Sequence, residues 1–176
     1  MRVVVALLVC LVVAVPALAD ESEPYVRECG TSVYGDLGLG WRERAVVAGH
    51  VAFVGMKQGY IRYRPSGHGA RPVKVLVVVD PHAAPTVTIA ARSRSHAALG
   101  YNGIRNDGRA VPVERGTESV IFRACRPDRS REAWNRGTQF AGYFLVSGRR
   151  CVHLEIATAG KVLRRALRFG VTRCAA

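Results

Sequence analysis

Cys151-Val152-His153-Leu154-Glu155-Ile156 alternates without a break, so in an extended chain Val152, Leu154 and Ile156 share one side and Cys151, His153 and Glu155 the other. This is the pattern of a strand with one face in a core and the other in water, and Thr86-Val87-Thr88-Ile89 repeats it. Val75-Leu76-Val77-Val78-Val79 differs: it is apolar throughout and is stopped by Asp80-Pro81. Its Val content disfavours a helix, and the run reads as a central strand covered on both sides.

Further out, β-type runs recur at Ala45 to Val54, Val73 to Val79, Thr86 to Ala91, Glu118 to Cys125, Phe140 to Val146, Cys151 to Thr158 and Val162 to Phe169, most of them bounded by Gly, Pro or Asp. Ala159-Gly160 stands where the last hairpin must turn, and Asn102-Gly103 and Asp107-Gly108 are turn dipeptides that tolerate positive φ. Only Asp128 to Arg136 offers a helix, of two turns at most. The fold class expected is all-β: a two-sheet antiparallel sandwich of immunoglobulin-like arrangement, disulfide-stabilised, with little helix. An open barrel is the alternative.

The chain opens with Arg2, an uncharged apolar run from Val3 to Val15, the helix breaker Pro16 and the small-residue site Ala17-Leu18-Ala19. These are the parts of a cleavable secretory signal peptide, residues 1–19, with the mature chain beginning at Asp20. Cys10 follows Val9 inside the apolar run, which is not a lipoprotein site. Residues 20–44 then read as a Gly-rich lead-in and residues 45–176 as the β-sandwich domain. No later apolar stretch reaches membrane-spanning length. The profile is that of a small exported bacterial β-sandwich.

Four cysteines remain after cleavage, Cys29, Cys125, Cys151 and Cys174, and an even number in an exported chain reads as two disulfides. A zinc site would call for Cys-x2-Cys spacing, which the chain lacks. Three connectivities are open. The chain ends tend to be close in a compact domain, which favours Cys29 with Cys174. A hairpin turning at Ala159-Gly160 sets Cys151 opposite Arg168 and leaves Cys174 about six residues, or roughly 20 Å, further along the strand. The expected pairs are therefore Cys29–Cys174 and Cys125–Cys151, the second of which needs residues 126–139 to cross over.

No catalytic motif stands out. No serine lies in Gly-x-Ser-x-Gly, and a sandwich lacks the strand-to-helix elbow that motif requires. Asp80, Asp107 and Asp128 read as turn and cap residues. His50, His68, His82, His96 and His153 are scattered, and the nearest approach to a ligand set, Cys151-His153-Glu155, loses its thiolate once Cys151 is bridged. No metal or cofactor is expected, and no catalytic residue is assigned.

Lys and Arg number 26 against 13 Asp and Glu; without Arg2 the balance of 25 against 13 is +12. Arginine supplies 23 of the 26, a skew that reports a GC-rich genome more than a function. Charge of this size attracts anionic partners and says nothing about fold. Arg126, Arg129, Arg131 and Arg136 surround Trp134, an interleaving that can grip an anion beside an aromatic surface, and they form the candidate binding patch. Other basic sets are Arg149-Arg150; Arg164, Arg165, Arg168 and Arg173; and Tyr60-Ile61-Arg62-Tyr63-Arg64. The reading is a non-catalytic binding module for an anionic polymer or the lipid headgroups of the cell envelope; nucleic acid fits export poorly. The rival readings are a hydrolase with a dispersed site and an accessory domain that binds another exported protein by sheet-edge pairing. Arginines gathered on one face would favour the first reading, a cleft with His beside Ser or Asp the second, and a bare apolar edge the third.

Overall fold

A computed structural model describes residues 23–60, 63–65, 69–104, 107, 109–126 and 137–174. The described strands are β1 Tyr25–Arg27, β2 Val46–Ala48, β3 Val51–Phe53, β4 Arg71–Val79, β5 Thr86–Ile89, β6 Ala97–Gly100, β7 Ser119–Phe122, β8 Thr138–Val146, β9 Arg150–Thr158 and β10 Lys161–Phe169, with one short α-helix, α1, at Ala91–Arg94 and three single 3-10 turns. They form two five-stranded sheets: sheet A in the order β1-β7-β5-β9-β10 and sheet B in the order β2-β3-β4-β8-β6. Every pair is antiparallel except β1 with β7.

The sheets pack face to face as the alternation requires. Val87, Ile89, Val120, Phe122, Val152, Leu154, Ile156, Leu167 and Phe169 of sheet A meet Val73, Val75, Val77, Val79, Phe140, Phe144 and Val146 of sheet B. Aromatic rings fill the centre. Tyr101 lies edge-on to Phe122 at 5.0 Å between centroids, and its hydroxyl donates to the carbonyl of Val75 at 2.7 Å. The ring occupies space left by Gly142, where a Cβ would fall 2.2 Å from Tyr101 Cδ1. Burial raises the Tyr101 hydroxyl far above its ordinary pKa, so it stays a donor.

The last hairpin turns where expected: Lys161 pairs with Thr158, and Ala159 and Gly160 both have positive φ, 47° and 73°. Other boundaries moved. Ala45 to Val54 is a hairpin folded at Gly49-His50, with Ala48 opposite Val51. Residues 86–91 end as a strand at Ile89 and turn into α1, and β6 had no clear run in the sequence. The Gly-rich lead-in contributes an edge strand, β1. Asn102-Gly103 lies in the loop after β6 and turns no hairpin. The helix expected at Asp128 to Arg136 and residues 1–19, expected to be a signal peptide, lie outside the described residues.

Cys29, Cys125, Cys151 and Cys174 are all bridged, but the pairing is Cys29–Cys125 and Cys151–Cys174, not Cys29–Cys174 and Cys125–Cys151. Parallel pairing of β1 and β7 explains the first bridge. Arg27 stands opposite Phe122, so the two strands leave the sheet side by side and bring Cys29 and Cys125 to a Cα separation of 4.8 Å. For the second, the register was right, since Cys151 does pair with Arg168. The chain beyond does not continue straight. Gly170, at φ 69°, folds it back, and Arg168 Nη1 donates to the carbonyl of Thr172 at 2.6 Å, which returns Cys174 to 5.6 Å from Cys151. Both bridges join neighbours within sheet A. Neither has the inter-sheet position of the immunoglobulin bridge, and the immunoglobulin-like version gets no support from the strand order.

Candidate functional site

The alternation that builds the core leaves sheet A a polar outer face. Across β9 and β10, Glu155 stands opposite Arg164, His153 opposite Ala166 and Cys151 opposite Arg168. The segment after β5 crosses the top of this face. The amide of Ala90 donates to the carbonyl of His153 at 2.9 Å, and the His153 amide donates to the buried hydroxyl of Ser93 at 3.0 Å. This double link docks α1 on β9 and places Arg92 over the sheet, where its Nη2 lies 2.8 Å from His153 Nδ1. A guanidinium only donates, so His153 Nδ1 accepts and the ring is neutral.

Two hollows open on either side of that contact. The larger, about 610 Å³, is lined by Arg92, His153, Glu155, Arg164, Ala166 and Cys174. The smaller, about 310 Å³, is lined by Arg92, His96, Arg150, His153 and Arg173 with Val171. They share Arg92 and His153 and make one trough. Glu155 is the carboxylate of the larger hollow and is paired with Arg164 at 3.1 Å; among the described residues no carboxylate lines the smaller one. The electrostatics register in the imidazoles. Burial, then the Arg150 charge, holds His96 below its ordinary pKa, and burial, then Arg92, does the same for His153.

Of the patch read from the sequence, Arg126 is exposed just beyond Cys125, by the β1/β7 edge and away from β9 and β10. Arg129, Arg131, Trp134 and Arg136 lie outside the described residues. The arginines the structure brings together are instead Arg150, Arg164 and Arg173, joined by Arg92, while the Arg168 guanidinium donates to the carbonyls of Thr172 and Lys57. Arg92 and His96 were missed as site residues because the Ala-Arg-Ser-Arg segment reads as a strand end; only its two arginines flanking a serine hinted at a turn. Tyr63 is buried against Phe169, while Tyr60 and Arg64 are exposed.

A second cluster lies at the opposite end of β9. His50 Nδ1 donates to Asp80 Oδ2 at 3.2 Å, and Arg42 holds Asp80 Oδ1 at 2.9 Å. Asp80 is thus an ion-pair partner and more than a turn residue. The adjoining cleft, about 380 Å³, is lined by His50, His82 and Thr158, and His82 has a positive φ of 64°. Asp107 behaves as the turn residue expected, accepting from the Arg109 amide at 3.0 Å. Among the described residues no three His, Cys, Asp or Glu side chains come together as a metal site, and no described helix is long and apolar enough to cross a membrane.

Compared with known proteins, the chain matches no family model, no curated protein and no solved structure.

Proposed function

We propose that the chain is a secreted, non-catalytic binding module that holds an anionic cell-envelope polymer along the outer face of sheet A. The observation that carries this is the trough: Arg92, Arg150, Arg164 and Arg173 line two joined hollows in which Glu155, already paired with Arg164, is the carboxylate. Guanidinium forks give bidentate donors to carboxylate or phosphate. A continuous trough suits an extended chain better than the plane of a membrane, and it carries no large apolar wedge. Two disulfides fit an oxidising compartment, which agrees with export directed by residues 1–19.

The test is titration with a soluble polyanion beside anionic and neutral vesicles. Affinity is expected to fall steeply with salt, as the Debye length shortens from about 10 Å at 0.1 M to about 3 Å at 1 M. Arg92→Ser, Arg150→Ser and Arg164→Ser together should weaken binding about tenfold or more at low salt while both disulfides still form, each exposed charge contributing up to about 1 kcal/mol. Loss of binding in Arg129→Ser, Arg131→Ser and Arg136→Ser, with this triple variant unaffected, would move the site to the patch first read from the sequence. Preference for anionic vesicles over the polymer would overturn the trough reading.

One observation favours the hydrolase as a second reading. His50 held at Nδ1 by Asp80 has the orientation of a general base, with Thr158 in the same cleft. Turnover of a panel of ester and amide substrates, abolished by His50→Ala, would establish it; no turnover by the wild type would end it.

A further inference from the structure

We propose that the smaller hollow is a discrete subsite for one phosphate group, in which Arg92, Arg150 and Arg173 converge on a single dianion. The inference rests on the reading of sheet A as the anion-binding face, and it names the group that face selects. Three separate pieces of chain supply the arginines: α1 gives Arg92, β9 gives Arg150, and the tail folded back after β10 gives Arg173. None of the three is paired with a carboxylate among the described residues, whereas Arg42, Arg94, Arg123 and Arg164 each are. The hollow thus gathers three arginines that no described carboxylate neutralises.

The hollow is also built. Gly148, at φ 74°, turns the chain into β9, and the Arg150 guanidinium lies against it. The Cys151–Cys174 bridge holds the tail, and the carbonyl of Arg173 lies 3.7 Å from Cys151 Sγ. Arg92 is fixed by its contact with His153. The charged and titratable groups around the space are Arg92 and His96 from the α1 segment, Arg150 and His153 from β9, and Arg173 from the tail; Arg168 stands beside Cys151. Glu155 lies one hollow away, engaged by Arg164. One carboxylate would leave most of this charge uncompensated. A phosphate monoester or free phosphate, carrying about −1.5 to −2 with three strong acceptor oxygens, meets all three forks.

His96 and His153 report on occupancy. Both are neutral-favoured when the hollow is empty, and a dianion a few ångströms away stabilises the imidazolium form. The experiment is an NMR titration of the two imidazoles with inorganic phosphate against chloride at equal ionic strength, repeated with polyglutamate and with a phosphate monoester. Phosphate and the monoester are expected to raise both pKa values by about 1 unit, saturably. Chloride should leave both within a few tenths, and polyglutamate should leave His96, which lines only the smaller hollow, within the same range. Arg150→Gln with Arg173→Gln should abolish the phosphate response, and Arg109→Gln, in an exposed loop, should retain it. A response equal in chloride, or one that survives the double substitution, overturns the subsite. Polyglutamate binding to the wild type is read separately in the same samples: if it persists without a phosphate response, the subsite fails and the broader face stands. If polyanion binding is absent but the phosphate response is present, the polymer reading fails and the subsite holds a free phosphate or small monoester.

Discussion

Sheets A and B share one core but are finished differently on the outside. In sheet B the central strand β4 buries its inner face and the end of its outer one: Val73, Val75, Val77 and Val79 point to the shared core, while Val78 packs with Ala45 and Ala52 under Leu37 and Trp41, and Lys74 on that outer side is exposed. Its neighbour β8 places Leu145 under Val111 and Ile104 on the same outer side. The lead-in and the loop after β6 are thus lids on sheet B. Among the described residues sheet A has no such apolar cover; its outer rows include Thr86, Thr88, Ser119, His153, Glu155 and Arg164. It also carries both disulfides. Sheet B is held by a second apolar layer and sheet A by covalent links, which leaves the outer face of A open to charge.

Removing the links should produce the largest effects. Cys29–Cys125 spans a sequence separation of 96 and Cys151–Cys174 one of 23. By loop-closure entropy the first contributes about 4.7 kcal/mol and the second about 3.4 kcal/mol. Urea denaturation of Cys29→Ala/Cys125→Ala and of Cys151→Ala/Cys174→Ala should rank them in that order. Only the second variant should also lose the phosphate response, because it releases Arg173. A larger loss from the second pair would mean that folded-state contacts of the tail, and not chain entropy, hold the β9/β10 edge.

The same substitution placed on the two outer faces sharpens the contrast. Val78 is 2% exposed and Val162 is 61% exposed, although both point away from the shared core. Val78→Ala is expected to cost about 1.5 to 3 kcal/mol through lost burial and a residual cavity, and Val162→Ala within about 0.5 kcal/mol. Similar costs at both positions, read from denaturation midpoints, would show that sheet A is covered in solution.

Much of this difference was legible beforehand. Continuous Val75 to Val79 against alternating Thr86 to Ile89 and Cys151 to Ile156 distinguishes a strand covered twice from strands covered once, because side-chain direction in a strand is fixed by parity. Long-range pairing was not legible. Tyr25-Val26-Arg27 is too short to announce itself, and without β1 beside β7 nothing brings Cys29 to Cys125. Gly170 gave the one hint that the tail folds back, and a lone glycine after a strand has many uses. The site escaped for the same reason: Arg92, Arg150 and Arg173 belong to three elements that meet only through the Ser93 link and the second disulfide.

The smallest expected effect is on pH dependence, and it is confined to the open face. His96 and His153 have folded-state pKa values below the ordinary 6.5, through burial and then through Arg150 and Arg92. For a base with a depressed native pKa, the unfolded chain binds more protons in the window between the two values, so stability rises with pH through that window. Their contribution is fully present above pH 6.5 and is lost as pH falls toward the folded-state values. Urea midpoints measured at pH 7, 6 and 5 should therefore decline modestly. His96→Gln with His153→Gln should flatten the decline without changing its sign elsewhere. Saturating phosphate should offset it as well, since an anion in the hollow favours the protonated rings that the empty site disfavours. Carboxylates titrate lower and contribute mainly below pH 5, so the double variant isolates the histidine part. An unchanged slope in that variant would remove the two imidazoles from the balance and place the pH dependence elsewhere in the chain.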